Sequence, residues 1–324
     1  MRIRSKKTVY FTAFLTLIFA LTGLSAAPAR AENAVEMPYG GGYAATGQIT
    51  DAGITAKLYD ATNGLPSSDA NYILCSSDGY LWIGGYSGII RYDGNTFRRL
   101  DTADGLTNGR GLFEDSKGRI WVGTNDNGVV ILDGSQRIHL TYKEGLPSSS
   151  IRVFAEDPEG NVYIGTTAGV CYADHDLNIH IIDERRLNAD RILRLDTDNE
   201  GRIYGQTGSG YVFLIENKAV KKICTGVELG IGRITTVKAD PVNSGKVYLG
   251  TDNSAVYYGN FGDPAAKLEY IPVDPLTSVH WISYDCGRIW VSSADSFGYL
   301  DKSHGFRLTE GLPMDSGIEM MTSD

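Results

Sequence analysis

Four arginine side chains of this 324-residue chain could act together on an anionic ligand. They are Arg110, Arg152, Arg191 and Arg233. A guanidinium group donates paired hydrogen bonds to a carboxylate, which suits arginine to carboxylate recognition. The chain has a formal charge of −9, so a cluster of these arginines would form a positive funnel within an acidic protein. The chemistry predicted for the four is binding of a carboxylate or hydroxyl-rich ligand.

These arginines fall at two positions of a repeated pattern, and both positions are mostly polar. Successive repeats place at the first position Asn71, Arg110, Arg152, Leu193, Thr235, His280 and Glu319. Two residues earlier they place Asp69, Asn108, Ser150, Arg191, Arg233, Ser278 and Gly317. Side chains that vary on a constant frame favour a ligand site, whereas each one taken alone could simply line a wet channel.

Two aromatic side chains add to this set. Tyr86 and Trp281 could stack on a sugar ring, and Trp281 could instead belong to the core. The candidate ligand-binding residues are Arg110, Arg152, Arg191, Arg233, Asn71, Asn108, Tyr86 and His280.

The elements that must position these residues are marked by an aromatic residue in a short apolar phrase, such as Leu81-Trp82-Ile83-Gly84. The phrase occurs six times, at Trp82, Trp121, Tyr163, Tyr204, Tyr248 and Trp290. Consecutive aromatics are 39, 42, 41, 44 and 42 residues apart. A period near 40 in strands rich in Tyr, Ile and Val, with glycine turns between them, indicates propeller blades rather than helical repeats.

The second repeat shows how one blade is built. Short strands are predicted at 110–114, 119–124, 129–132 and 137–142, with tight turns between them. The predicted fold is all-β: a β-propeller of four-stranded antiparallel blades, with six complete blades plus an incomplete seventh. The repeats start near residues 64, 105, 145, 187, 230, 276 and 311.

The seventh blade is expected to be truncated. Its aromatic is due at about residue 332 by the same period, and the sequence ends at Asp324. Only the opening strand, near 318–321, is therefore expected from the seventh repeat. Pairing of residues 58–60 with this blade is expected to close the ring and remove a sheet edge.

The repeat resembles a known family. Gly64-Leu65-Pro66 and Gly145-Leu146-Pro147 open two repeats, Glu114 to Thr124 fills another, and Arg91-Tyr92-Asp93-Gly94 closes the first. These phrases resemble the two-component-regulator propeller repeat. The resemblance implies an extracytoplasmic sensor of bacterial signalling, which binds small, often carbohydrate-derived ligands and signals as a homodimer. It also implies an output module, a histidine kinase, diguanylate cyclase or phosphatase, that is absent from this chain.

The N-terminus predicts export. Residues 1–31 read as a signal peptide, because a basic start and an apolar run precede Ala29-Arg30-Ala31. An uncleaved signal anchor is the alternative. Residues 32–53 are predicted to be a flexible leader, and 54–324 the propeller. The expected location is the periplasmic or extracellular side of the cytoplasmic membrane. Membrane attachment is expected only through a missing C-terminal segment or the uncleaved N-terminus.

Composition narrows the function classes. Removal of the leader takes away five positive charges and changes the formal charge from −9 to −14, which disfavours nucleic acid. The four cysteines and five histidines show no metal-ligand spacing, so we expect neither a metal nor another cofactor. The sequence leaves open whether any of the cysteines form a disulfide. No catalytic residue is predicted; the alternatives are a protein-interaction scaffold and, behind it, a carbohydrate-active propeller enzyme.

Overall fold

The computed structural model describes residues 7–12, 19–22, 59, 64–67, 70–100, 105–263, 265–309 and 318–323. These residues form six four-stranded antiparallel sheets arranged as a β-propeller, together with one three-stranded sheet. The predicted fold class is confirmed. No helix among the described residues is long and apolar enough to cross a membrane.

The first three blades follow the repeats in order. Blade 1 has strands Tyr72–Cys75, Leu81–Gly85, Gly88–Tyr92 and Phe97–Arg99. Blade 2 has strands Gly109–Glu114, Ile120–Thr124, Val129–Asp133 and Gln136–Leu140. Blade 3 has strands Ile151–Glu156, Val162–Thr166, Gly169–Ala173 and Ile179–Ile182.

The next three blades have the same order of strands. Blade 4 has strands Ile192–Thr197, Ile203–Thr207, Tyr211–Glu216 and Ala219–Thr225. Blade 5 has strands Ile234–Ala239, Lys246–Thr251, Ala255–Asn260 and Glu269–Pro272. Blade 6 has strands Trp281–Asp285, Arg288–Ser292, Phe297–Leu300 and Phe306–Leu308. In every blade the first strand is an edge strand, and first strands of successive blades are neighbours around the ring.

The seventh sheet contains a single strand of the seventh repeat, Ile318–Ser323, as predicted. This strand lies between the first strands of blades 6 and 1. It pairs antiparallel with Lys7–Thr12, which in turn pairs with Phe19–Thr22. Both N-terminal strands belong to the segment predicted as a signal peptide, whose cleavage stays a prediction.

The expected ring-closing segment 58–60 lies largely outside the described residues, as does the predicted leader 32–53. Tyr59 is described and is buried within the cluster of blade 1. Its hydroxyl lies 2.8 Å from the hydroxyl of Tyr92, and its ring contacts Phe97 edge-on. Tyr59 therefore packs against the outer strands of blade 1.

The repeated aromatics hold neighbouring blades together. All six are buried, with at most 5% of their surface exposed. Trp121 of blade 2 packs against Ile151 and Phe154 of blade 3, and Tyr163 of blade 3 packs against Ile192 of blade 4. These contacts confirm that the aromatics fill the space between blades, where a large ring buries much apolar area.

The glycine that follows two residues after the aromatic allows this close packing. A Cβ at Gly165 would lie 2.6 Å from Val153 and 2.8 Å from Ile192 of the next blade. Blade 4 has Gln206 in this place, and its side-chain amide donates to the backbone oxygen of Ile234 in blade 5 at 3.3 Å. In blade 4 a side-chain hydrogen bond to blade 5 therefore takes the place of the close packing that Gly165 allows in blade 3.

An aspartate organises the turn between the first two strands. Asp115 accepts hydrogen bonds from the backbone N–H of Lys117 and Arg119, from Arg119 Nε at 2.6 Å and from Trp121 Nε1 at 2.8 Å. Its side chain is fully buried. The same carboxylate thus accepts hydrogen bonds from the turn backbone, from a buried guanidinium and from the indole N–H of the repeated aromatic.

Candidate functional site

A β-bulge defines the first of the two predicted positions in blades 2 to 5. The register of the first strand shifts between Gly109 and Gly111, between Ile151 and Val153, and at the equivalent points of the next two blades. The residues skipped by the shifts are Arg110, Arg152, Leu193 and Thr235. Because a bulge redirects its extra side chain, the distortion separates these residues from the alternating pattern of the strand.

Blades 1 and 6 present their equivalents just before the first strand. The backbone N–H of Asn71 donates to Gly84 O at 2.6 Å, and that of His280 donates to Ser292 O at 2.7 Å. Both residues are half-buried. The side chain of Glu319 and the residues Asp69 and Gly317 lie outside the described part of the chain.

These positions surround a cavity of about 310 Å³ at one end of the central channel. Its lining consists of Ala70, Asn71, Tyr72, Arg110, Arg152, Leu193, Arg194, Trp281 and Met320. We call this cavity the channel mouth. Of the predicted ligand-binding set, Asn71, Arg110 and Arg152 line it directly.

Arg110 is the best-anchored of the predicted arginines. Its guanidinium donates to the hydroxyl of Tyr86 at 2.5 Å and to Asn71 Oδ1 at 3.4 Å. It also stacks 4.6 Å from the centre of the Tyr86 ring, which is 56% exposed. Among the described residues, Arg110 Nε and Asn71 Nδ2 are buried without a hydrogen-bond partner. The described residues therefore leave two donors at the mouth unsatisfied.

Like charges crowd around Arg152. Burial lowers the pKa of its guanidinium, and repulsion from Arg110 and Arg191 lowers it further. No acidic side chain occurs among the described residues that line the mouth. An anion bound there would replace the water that burial removes from Arg152. It would also relieve the repulsion among Arg110, Arg152 and Arg191.

Arg191 and Arg233 lie farther out, on either side of the turn at Gly208. Both are exposed. Arg233 donates to Gly208 O at 2.8 Å, and a Cβ at Gly208 would lie 3.3 Å from Arg191 Nε. Asn108 is half-buried with a φ of 47°. The structure therefore separates the predicted set into a lining group and an outer group.

Three segments of the chain, 64–87, 110–126 and 145–168, match the family described as two component regulator propeller. The chain carries two-component regulator propeller repeats. The resemblance seen in the sequence is thereby confirmed, and the matched segments include Asn71, Tyr86, Arg110 and Arg152. No curated protein matches the chain in sequence.

Solved structures share the propeller fold of this chain. A streptogramin B lyase is 14% identical over 75% of this chain and 83% of its own, with a TM-score of 0.61. The virginiamycin B lyase of Staphylococcus aureus is 15% identical over 75% and 84% of the two chains, with a TM-score of 0.56. The extracellular domain of a putative hybrid two component system from B. thetaiotaomicron is 14% identical over 76% of this chain and 43% of its own, with a TM-score of 0.52. At these identities the likeness establishes the fold alone.

Sequence reasoning missed one arginine of the channel. Arg194 follows the bulge residue Leu193, and its guanidinium lies 4.4 Å from the centre of the Trp281 ring across the channel. It also donates to Leu193 O at 2.8 Å and to His280 O at 3.2 Å, linking blades 4 and 6. The signal that could have found it is a second basic residue beside a varying channel position.

Asp174, His175 and Asp176 have atoms close enough to hold a cation. His175 and Asp176 are exposed, and Asp174 accepts the backbone N–H of Asp176 and Asn178 and contacts His180 Nε2 at 2.9 Å. These bonds account for Asp174 as a turn residue. Cys171 and Cys224 are buried and form no disulfide among the described residues.

Proposed function

We propose that this chain is the extracytoplasmic ligand-sensing propeller of a bacterial signal-transduction protein, and that its ligand binds at the channel mouth. The repeats of the two-component regulator family support the signalling role. The observation that carries the ligand site is the group of guanidinium side chains, Arg110, Arg152 and Arg194, around one cavity without a described carboxylate.

The ligand proposed is a small carbohydrate-derived acid. A carboxylate would receive paired hydrogen bonds from Arg110 or Arg152, whose charges repel each other in the free protein. Sugar hydroxyls would use the unsatisfied amide of Asn71, and the exposed ring of Tyr86 offers an apolar face for a pyranose. A cavity of about 310 Å³ fits a ligand of this size.

Export, homodimer formation and an output module outside this chain belong to the same proposal. We also propose that the chain is not an enzyme. Two solved neighbours are lyases, but their likeness to this chain extends only to the fold and carries no activity over to it. A protein-interaction scaffold remains the alternative function, and small-ligand binding distinguishes the two.

The test is calorimetric titration of the full chain with glucuronate and glucose, which differ by one carboxylate. We expect glucuronate to bind and glucose to bind at least about tenfold more weakly, the order of one lost charged hydrogen bond. Arg152→Gln should remove most glucuronate binding. The matched control is Arg98→Gln, an exposed arginine on the outer strand of blade 1.

Equal binding of the two sugars, or glucuronate binding that survives Arg152→Gln, would contradict the carboxylate site. Binding of a partner protein that depends on Arg152, with no small-ligand heat, would favour the scaffold. Turnover of a glycoside or uronide by the purified chain would contradict the non-enzymatic role.

A further inference from the structure

A second cavity, of about 450 Å³, occupies the channel beyond the mouth. It is lined by residues farther along the first strands, such as Phe113 and Glu156, and we call it the lower chamber. The side chains that line both cavities are Tyr72, Arg194, Trp281 and Met320. The two cavities therefore adjoin at these four residues.

Aromatic rings make up much of the wall of the lower chamber. The rings are Tyr72, Phe113, Phe154, Trp281 and Tyr284. The negative face of an aromatic ring attracts a cation placed within about 6 Å of its centre. Arg194 already uses Trp281 in this way, with its guanidinium carbon 4.4 Å from the centre of the ring.

The charge of the lower chamber is opposite to that of the mouth. Its described acidic side chains are Glu156, Asp196 and Asp285, and its described basic side chains are Arg194 and Lys238. Lys238 pairs with Asp196 at 2.9 Å, and both are largely shielded from solvent. Among the described side chains that line the chamber, carboxylates outnumber cations by three to two.

The chamber also holds polar groups that the protein does not satisfy. Ser283 is only 8% exposed, and its hydroxyl has no hydrogen-bond partner among the described residues. Thr197 Oγ1 and Trp281 Nε1 are buried without a partner as well. Buried polar groups are usually paired, so unsatisfied hydroxyls in a cavity wall point to a hydrogen-bonding ligand.

We propose that the lower chamber is a second ligand site, which takes a compact organic monocation bearing a hydroxyl group. Phe113 and Trp281 would contact the cationic head, and Glu156 would supply the opposite charge. Ser283 and Thr197 would bind the hydroxyl. This site stands on residues other than the mouth arginines 110 and 152, so it does not depend on the function proposed for the mouth.

The experiment compares choline with 3,3-dimethyl-1-butanol, its neutral isostere, by calorimetric titration of the full chain. The two probes have nearly the same shape and hydroxyl group and differ in charge. We expect choline to bind at millimolar or lower concentration and the neutral probe to bind at least about tenfold more weakly. Phe113→Leu should weaken choline binding while leaving any weak binding of the neutral probe unchanged.

Blade 2 supplies a matched control for Glu156. Glu156 accepts the backbone N–H and hydroxyl of Ser116 at 2.7 and 2.8 Å, and Glu114 accepts the same groups of Ser77 at 2.6 and 2.5 Å. Only Glu156 lines the chamber. We expect Glu156→Gln to weaken choline binding about tenfold and Glu114→Gln to leave it unchanged, since both lose one charge at equivalent bonds.

Equal affinity for both probes, equal effects of the two glutamate variants, or no choline binding at millimolar concentration would each overturn the proposal. Thermal unfolding of each variant checks that it is folded. Arg152→Gln separates the two sites: it should abolish uronate binding at the mouth and leave choline binding intact, so either proposal can fail alone.

Discussion

Replacement of Asp115 by alanine tests whether the turn aspartate stabilises the blade through its buried charge pair. The side chain of Asp115 is fully buried, and that of Arg119 is 10% exposed. Alanine would leave the Arg119 guanidinium and the Trp121 indole N–H without their shared acceptor. Breaking a buried ion pair in this way costs about 3–5 kcal/mol.

Asp174 provides a control with the same local pattern. Asp115 bonds to residues 117, 119 and 121, and Asp174 bonds to residues 176, 178 and 180. The difference is burial, since the Asp174 side chain is 21% exposed and the His180 side chain is 45% exposed. Water can replace the lost bonds at Asp174, so Asp174→Ala should change stability little.

The assay is thermal unfolding of the purified variants, followed by circular dichroism. For a domain of this size, a loss of about 3–5 kcal/mol lowers Tm by roughly 6–20 °C. We expect a fall in this range for Asp115→Ala and no resolvable change for Asp174→Ala. Equal Tm values for the two variants would refute the claim that burial gives the turn aspartate its effect.

Two further predictions concern packing and pH. Gly165→Ala should destabilise the fold by about 1–3 kcal/mol through its clash with Val153, whereas Gly262→Ala, in an exposed place, should be neutral; urea unfolding measures both. Burial alone raises the pKa of Asp198, but hydrogen bonds, chiefly from Arg202, outweigh it and hold that pKa below its usual value. Its contribution to stability is therefore present above about pH 4 and is lost as pH falls through the lowered pKa. The unfolding free energy of Asp198→Asn should depend less on pH in this acid range, and an unchanged slope would contradict the assignment.

The blades could be predicted from the sequence because their determinants are local and repeated. Trp121 lies two residues before Gly123 and six after Asp115, and the same spacing recurs at Asp157, Tyr163 and Gly165 of blade 3. The repeat pattern therefore stays recognisable even where one blade departs from it, as at Gln206, which stands in the place of the glycine. The pairing of Lys7–Thr12 with Ile318–Ser323 was not predicted, because apolar residues 9–24 also fit a signal peptide and strand pairing over such a distance leaves no local signal.

The candidate site was less predictable, because it depends on contacts across the channel. Alignment of repeats found Arg110 and Arg152, since the bulge recurs at the same place in blades 2 to 5. The alignment placed Leu193 at the channel position of blade 4, although the side chain that contacts Trp281 is that of Arg194. Which neighbour of a bulge enters the channel depends on packing partners some 90 residues away. A repeat pattern carries no information about that choice.

Arg194 lines both the channel mouth and the lower chamber, which differ in the sign of the net charge on their described side chains. The Arg194 guanidinium lies beside the mouth arginines, where it contacts the Trp281 ring and donates to the backbone carbonyls of Leu193 and His280. Its positive charge adds to the anion site above and balances part of the acidic wall below. Removal of this charge, as in Arg194→Met, should therefore weaken anion binding at the mouth and strengthen cation binding in the lower chamber, two opposite effects that simple loss of folding could not produce together.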